Sequence, residues 1–222
     1  MSRPAAALII AVGIGLGLLL GSGVTAQDKS PVTREQALAD IRKPDLETRR
    51  RATARLGEVG VIADAPVLIA ALSDPDEVVR TLAEHSVWQV WARSDDAEAD
   101  RLLQVGIEQM NRGDGPAAVE TFTKVIQRKP DFAEAWNKRA TVYFLMGEHE
   151  QSLKDCDEVM KRNPDHFGAL AGYGQIYLQL DQPERALTYF RRALQVNPNM
   201  RGVQQIIPQL EQLLTERRKR TI

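Results

Sequence analysis

Cysteine is close to absent from this 222-residue sequence: Cys156 is the only one, and histidine occurs three times. A single thiol cannot form an internal disulfide, so the fold must rest on packing. His85, His149 and His166 show no ligand spacing with one another or with Cys156, which gives no reason to expect a metal site. Charge of one sign is lacking too. Lys and Arg total 29 against 30 Asp and Glu, a net charge of −1, which removes the broad electrostatic case for nucleic-acid binding. No phosphate-binding Gly-rich loop, Gly-x-Ser-x-Gly elbow or dinucleotide fingerprint occurs, so neither catalysis nor a cofactor is expected. Hydrophobic and charged fractions of 43% and 27% are those of an ordinary folded chain, which excludes wholesale disorder.

One long hydrophobic run is present. Arg3 precedes an apolar stretch from Ala5 to Leu20, and Val24-Thr25-Ala26 places small residues ahead of a cleavage point. Residues 1–26 therefore read as a secretory signal cut after Ala26. The competing reading is an uncleaved anchor: residues 5–24 match the ~20 residues of a membrane span, and Gly13, Gly17 and Gly21 have the spacing of packed membrane helices. Either way the expected location is periplasmic or secreted, or anchored in the inner membrane with the rest of the chain in the periplasm. Residues 27–32 form a short polar linker.

Residues 33–94 show helical periodicity broken by turn residues. Pro44-Asp45 and Pro75-Asp76, Arg49 and Arg80, and Ala52 and Ala83 are pairs 31 residues apart. Each unit reads as helix, Pro-Asp turn, helix, with Asp45 and Asp76 placed to cap the second helix. The run Asp74-Pro75-Asp76-Glu77-Val78-Val79-Arg80-Thr81-Leu82-Ala83 resembles a short bacterial HEAT-type repeat. In the earlier copy Lys43, Leu46 and Thr48 depart from that pattern.

A longer period follows. Pro130, Pro164 and Pro198 are each 34 residues apart. Gly106, Ala140 and Gly174 share one slot; Ala118, Ser152 and Ala186 a second; Phe122, Cys156 and Phe190 a third. Small residues at fixed phase let paired helices approach closely, the aromatics are expected to fill space between hairpins, and each proline ends a second helix. Three units result, 99–132, 133–166 and 167–200, and stacked helical hairpins are the architecture such a period implies. Trp136, Ala140, Tyr143, Gly147 and Pro164 of the second unit, with Leu170, Gly174, Tyr177, Ala186, Phe190, Ala193 and Pro198 of the third, resemble the tetratricopeptide repeat (TPR). Arg139 and Val159 depart from it. Residues 201–222 read as a capping amphipathic helix with a basic tail, Arg217-Arg218-Lys219-Arg220. The expected fold is an all-α solenoid in which the HEAT-like repeats continue into three TPR units and the capping helix.

The TPR resemblance implies that the first helix of each hairpin lines a concave groove that holds a protein or peptide. Its contact positions fall on Leu103, Ile107 and Met110, then Asn137, Thr141, Phe144 and Leu145, then Gln175, Leu178 and Gln179. Lys138 stands where some chaperone-binding members have an asparagine, and the glycines Gly168 and Gly172 replace basic residues, so a carboxylate clamp is not expected. The groove so composed is apolar and amide-rich, suited to a peptide or partner helix. The implied function is a non-catalytic adaptor or assembly factor of the bacterial envelope. A second reading is a module for cell-wall glycan or anionic lipid, using the basic tail with Trp88 and Trp91.

Overall fold

The computed structural model describes residues 32–220. The signal or anchor segment expected at 1–26 lies outside them, as does most of the linker. Among the described residues are eleven α-helices and one 3-10 turn, Ile62–Asp64. The helices are α1 Arg34–Asp40, α2 Leu46–Val59, α3 Ala65–Ala71, α4 Glu77–Trp91, α5 Ala97–Asn111, α6 Gly115–Arg128, α7 Ala133–Leu145, α8 His149–Arg162, α9 Phe167–Gln179, α10 Pro183–Val196 and α11 Arg201–Arg220. None is long and apolar enough to cross a membrane.

Side-chain oxygens that accept the unpaired N–H groups of a first turn set several helix starts. Asp45 accepts from Thr48 and Asp76 from Val79, the caps that the 31-residue repeat placed there, and Asp96 accepts from Glu98 and Ala99. The turn inside each C-terminal hairpin needs a left-handed residue. Gly113 and Gly147 supply it at φ 80° and 78°, while the third turn uses Asp181 at φ 53°.

The first four helices form two hairpins tied by a repeated arginine device. Arg49 donates to the carbonyls of Lys43 and Pro44 at 3.1 and 2.8 Å and bonds Asp74 in the next turn. Arg80 makes the same pair of bonds to Asp74 and Pro75, at 2.9 and 3.0 Å. The turn it reaches next is Asn199, at 3.1 Å, and Asn199 in return donates to the Leu72 carbonyl at 2.8 Å. The hairpins are therefore followed in space by the end of the third unit. Their core takes in Phe167, with Val196 and Met200 packed against it. This corrects the expectation of a stack that simply runs on from residue 94 into the first unit. Val196 and Met200 supply the apolar side of this contact and Asn199 its hydrogen bonds.

Helices α5–α10 make three hairpins in register with the 34-residue period, and α11 packs on α10. Size matching holds each hairpin together. A Cβ on Gly106 would come 2.5 Å from the Phe122 ring, and one on Gly174 would come 2.5 Å from Phe190. In the middle unit the same two slots hold Ala140 and Cys156, both buried in one cluster. The aromatic slot thus bears on the small residue of its own hairpin, a contact within hairpins where one between them was expected.

Candidate functional site

The first helices α5, α7 and α9 follow one another, α5 beside α7 and α7 beside α9, and the candidate residues fall on the face they form. The two ends of that face differ. At the end made by the first turns of α7 and α9, α4 covers it. Trp88 lies against Gly168, and the Lys138 ammonium sits 5.6 Å from the Trp88 ring centre. Trp91 stacks on His166 with 4.3 Å between ring centres and tilts against Phe167 at 5.0 Å.

Beneath these rings is a buried polar cluster. Glu134, 2% exposed, receives bonds from Lys138 at 2.9 Å, His166 Nε2 at 2.9 Å and Asn137 at 3.1 Å. His166 Nδ1 accepts from the Ala169 N–H as the cap of α9, so in the neutral ring the proton is on Nε2 and points at Glu134. Burial by itself would raise the Glu134 carboxyl; the Lys138 charge and the His166 hydrogen bond outweigh it and bring the group down to about 2. A Glu–His pair of this kind invites a catalytic reading, but here it is sealed from substrate by Trp91. Among the described residues no three His, Cys, Asp or Glu side chains gather where they could hold a metal ion.

The opposite end, made by the last turns of the first helices, is open. Thr141, Leu145 and Gln179 are exposed, Leu145 by 54%. Gln175, Phe144 and Leu178 are half-buried beside them, and Phe144 and Leu178 pack on the core cluster beneath. The Thr141 hydroxyl is turned inward to the Asn137 carbonyl, whereas the amides of Gln175 and Gln179 have no hydrogen-bond partner among the described residues. Ile107 and Met110 are half-buried against the core of the first unit.

Three expectations need correction. Leu103 is fully buried among Phe122, Val125 and Ala135 and lines no groove. Asn137 and Lys138 are committed to Glu134 under α4 and so are not free to meet a peptide. Trp88 and Trp91 pack edge-to-face at 5.5 Å inside the junction, with Trp91 2% exposed, so they make no ligand-stacking surface with the basic tail.

Comparison with known proteins decides the family. The tetratricopeptide repeat profile matches residues 131–199. A TPR repeat-containing protein of Rhizobium etli is 32% identical over 145 residues, 65% of this chain and 70% of that one. The chain belongs to the TPR family. The Hsp70-Hsp90 organizing protein of Triticum aestivum is 22% identical over 116 residues, half of this chain but only 20% of its own length. Among solved structures, the first TPR domain of Spaghetti (RPAP3), bound to an HSP90 peptide, superposes with a TM-score of 0.52 at 22% identity, covering 54% of this chain and 96% of that one. The Sgt2 TPR domain of Aspergillus fumigatus gives 0.53 at 17% identity, covering 56% and 83%. At these identities the structures speak for the fold.

Two residues of the second TPR unit, Arg139 and Cys156, find their reasons in this setting. Arg139 forms a two-pronged bond to Asp155 at 2.7 and 2.8 Å and lies over the Trp136 ring at 5.1 Å, tying the two helices of the second TPR hairpin together. Cys156 fills the aromatic slot opposite Ala140, where a ring would not fit over a methyl group. The sequence reading missed Met146, Leu180 and Leu213, exposed by 41%, 37% and 38%. Their signal was available: they occupy the slots of Leu145 and its neighbour, displaced by whole repeats.

Proposed function

We propose that this TPR protein is a non-catalytic adaptor that captures a protein partner at the open end of its first-helix face. The observation that carries this is the juxtaposition, on one exposed edge, of Leu145 with the unpaired amides of Gln175 and Gln179. Apolar surface gives such a site its driving force, and free amides give it directional contacts. The TPR domain of Spaghetti (RPAP3), bound to an HSP90 peptide, supports the kind of partner, a polypeptide. The closed end, with its Trp91–His166 stack, serves as architecture.

A photo-cross-linking residue at Leu145 or Gln179 in living cells should trap a protein, while one at exposed Lys154, on α8, should not. Equal trapping at all three positions would defeat the proposal. We further propose that the adaptor works outside the cytoplasm, on the strength of the Arg3, apolar-run and Val24-Thr25-Ala26 sequence. Sequencing the N-terminus of the mature chain tests this: a start at Gln27 in an envelope fraction supports it, and a cytoplasmic chain that retains residues 1–26 overturns it.

A further inference from the structure

We propose that the cleft between α4 and the start of α11 binds a small zwitterion of dipeptide size, with its carboxylate on Arg80 and its ammonium on Glu84. The cleft holds about 380 Å³; Glu77, Arg80 and Glu84 line it from α4, and Asn199, Arg201 and Gln204 from the opposite wall. It shares no residue with the open edge of the first-helix face and stands apart from the adaptor reading. The repeated arginine device points to the carboxylate. Arg49 spends Nη1 on two carbonyls of its own turn, and its other edge closes on a carboxylate, Nε meeting Asp74 Oδ2 at 2.9 Å and Nη2 meeting Oδ1 at 3.3 Å. Arg80 spends Nη1 in the same way. Its other edge finds only the side-chain carbonyl of Asn199, 3.1 Å from Nε, and its Nη2 has no hydrogen-bond partner among the described residues. An amide oxygen carries no net charge. The second copy of the device therefore turns a half-used guanidinium fork to the cleft, and such a fork takes a carboxylate in two parallel bonds.

The remaining charges say what the carboxylate belongs to. Arg201 adds a second guanidinium, paired on the exposed rim with Glu77 at 3.2 Å. Glu84, half-buried and four residues beyond Arg80 on the same face of α4, makes no hydrogen bond or ion pair among the described residues. A bare anion that reached Arg80 would meet both carboxylates and a bare cation both guanidinium groups, whereas a guest carrying one charge of each sign opposes each to its complement. Size agrees. Side chains four apart on a helix leave it about 5–6 Å from one another. The Cα atoms of a dipeptide are ~3.80 Å apart, and its amine and carboxyl each stand one bond of ~1.5 Å beyond. Its two ends therefore span the distance from Arg80 to Glu84.

The test titrates the isotope-labelled full chain with glycylglycine and follows the Arg80 Nε–H signal and the amides of Thr81, Asn199, Arg201 and Gln204 by NMR. Saturable shifts at these groups are expected. Glycylglycinamide, which lacks the carboxylate, and acetylglycylglycine, which lacks the ammonium, should each bind about tenfold or more weakly, the loss of a hydrogen bond to a charged group. R80K keeps the charge but not the fork, and it should raise the Kd of glycylglycine about tenfold; E84Q should do the same. Because Glu84 makes no bond within the fold, E84Q decides the matter even if R80K loosens the contact with Asn199. No saturable shift, equal binding of either blocked probe, or a Kd unmoved by E84Q or by a folded R80K would each overturn the inference. Acetate bound as tightly as glycylglycine would make the cleft a plain anion site and overturn it too.

Discussion

Two glycines of α9, two residues apart, should respond to the same substitution with opposite signs. A Cβ at Gly174 would lie 2.5, 2.6 and 2.7 Å from three ring carbons of Phe190, whereas a Cβ at Gly172 would find only the Cys156 sulfur, at 3.9 Å. Replacing a mid-helix glycine by alanine gains roughly 1 kcal/mol of helix propensity. At Gly172 nothing opposes that gain, so G172A should stabilise the protein by up to about 1 kcal/mol. At Gly174 the rigid, 2% exposed Phe190 ring must move, and overpacking costs about 1–3 kcal/mol. The net effect of G174A is a loss of up to about 2 kcal/mol. For a chain of this size each kcal/mol moves Tm by about 2–4 °C, so the two variants separate cleanly in thermal and urea unfolding. The second unit supplies the compensating change, since it pairs Ala140 with Cys156. F190C alone should be costly, on the order of 3–5 kcal/mol as for other large-to-small core changes. In reducing buffer G174A/F190C should recover at least about 1 kcal/mol relative to additivity. A G174A protein more stable than the parent, as G172A is expected to be, or an additive double mutant, would refute the size-matching account of the hairpins.

Further expectations concern the junction and the buried groups. Because the Glu134 carboxyl falls from an ordinary 4.5 to about 2 on folding, its contribution is complete above pH 4.5 and disappears as pH drops toward 2. The stability difference between parent and E134Q should shrink across that window, and a pH-independent difference would contradict the assignment. R80A removes bonds to the Asp74 and Pro75 carbonyls and to Asn199, at about 1–3 kcal/mol for hydrogen bonds to a charged group. It should increase hydrogen exchange at both 72–76 and 196–200, whereas R49A should affect only the first hairpins; identical exchange patterns would argue against the fold-back. Burial pushes the Cys156 thiol up to about 12, so a thiol reagent near pH ~8 should modify it only as fast as the protein unfolds. Rapid labelling of the native chain would show the slot to be open.

The sequence by itself determined the units. Residue identity at a 34-residue period fixes which helix faces are small, which are bulky and where the chain must stop, and those are local properties carried by Gly174, Phe190 and Pro198 wherever the unit is placed. The same holds for the caps at Asp45, Asp76 and Asp96, which act within three residues. Exposure at the open end was legible for that reason: Thr141, Leu145 and Gln179 are exposed at positions that their repeat phase turns away from the core. Only the tertiary structure decided which part of the face stays free. Leu103 looks like a groove position by phase, yet its neighbours from α6 and α7 bury it. Asn137 and Lys138 look available, yet α4 lies over them because Trp88, Trp91 and Arg80 find Gly168, His166 and Asn199 at least 75 residues further along the chain. A periodic pattern encodes contacts between adjacent units through repetition. A contact made once, between two different kinds of repeat, has no second copy in the sequence to reveal it.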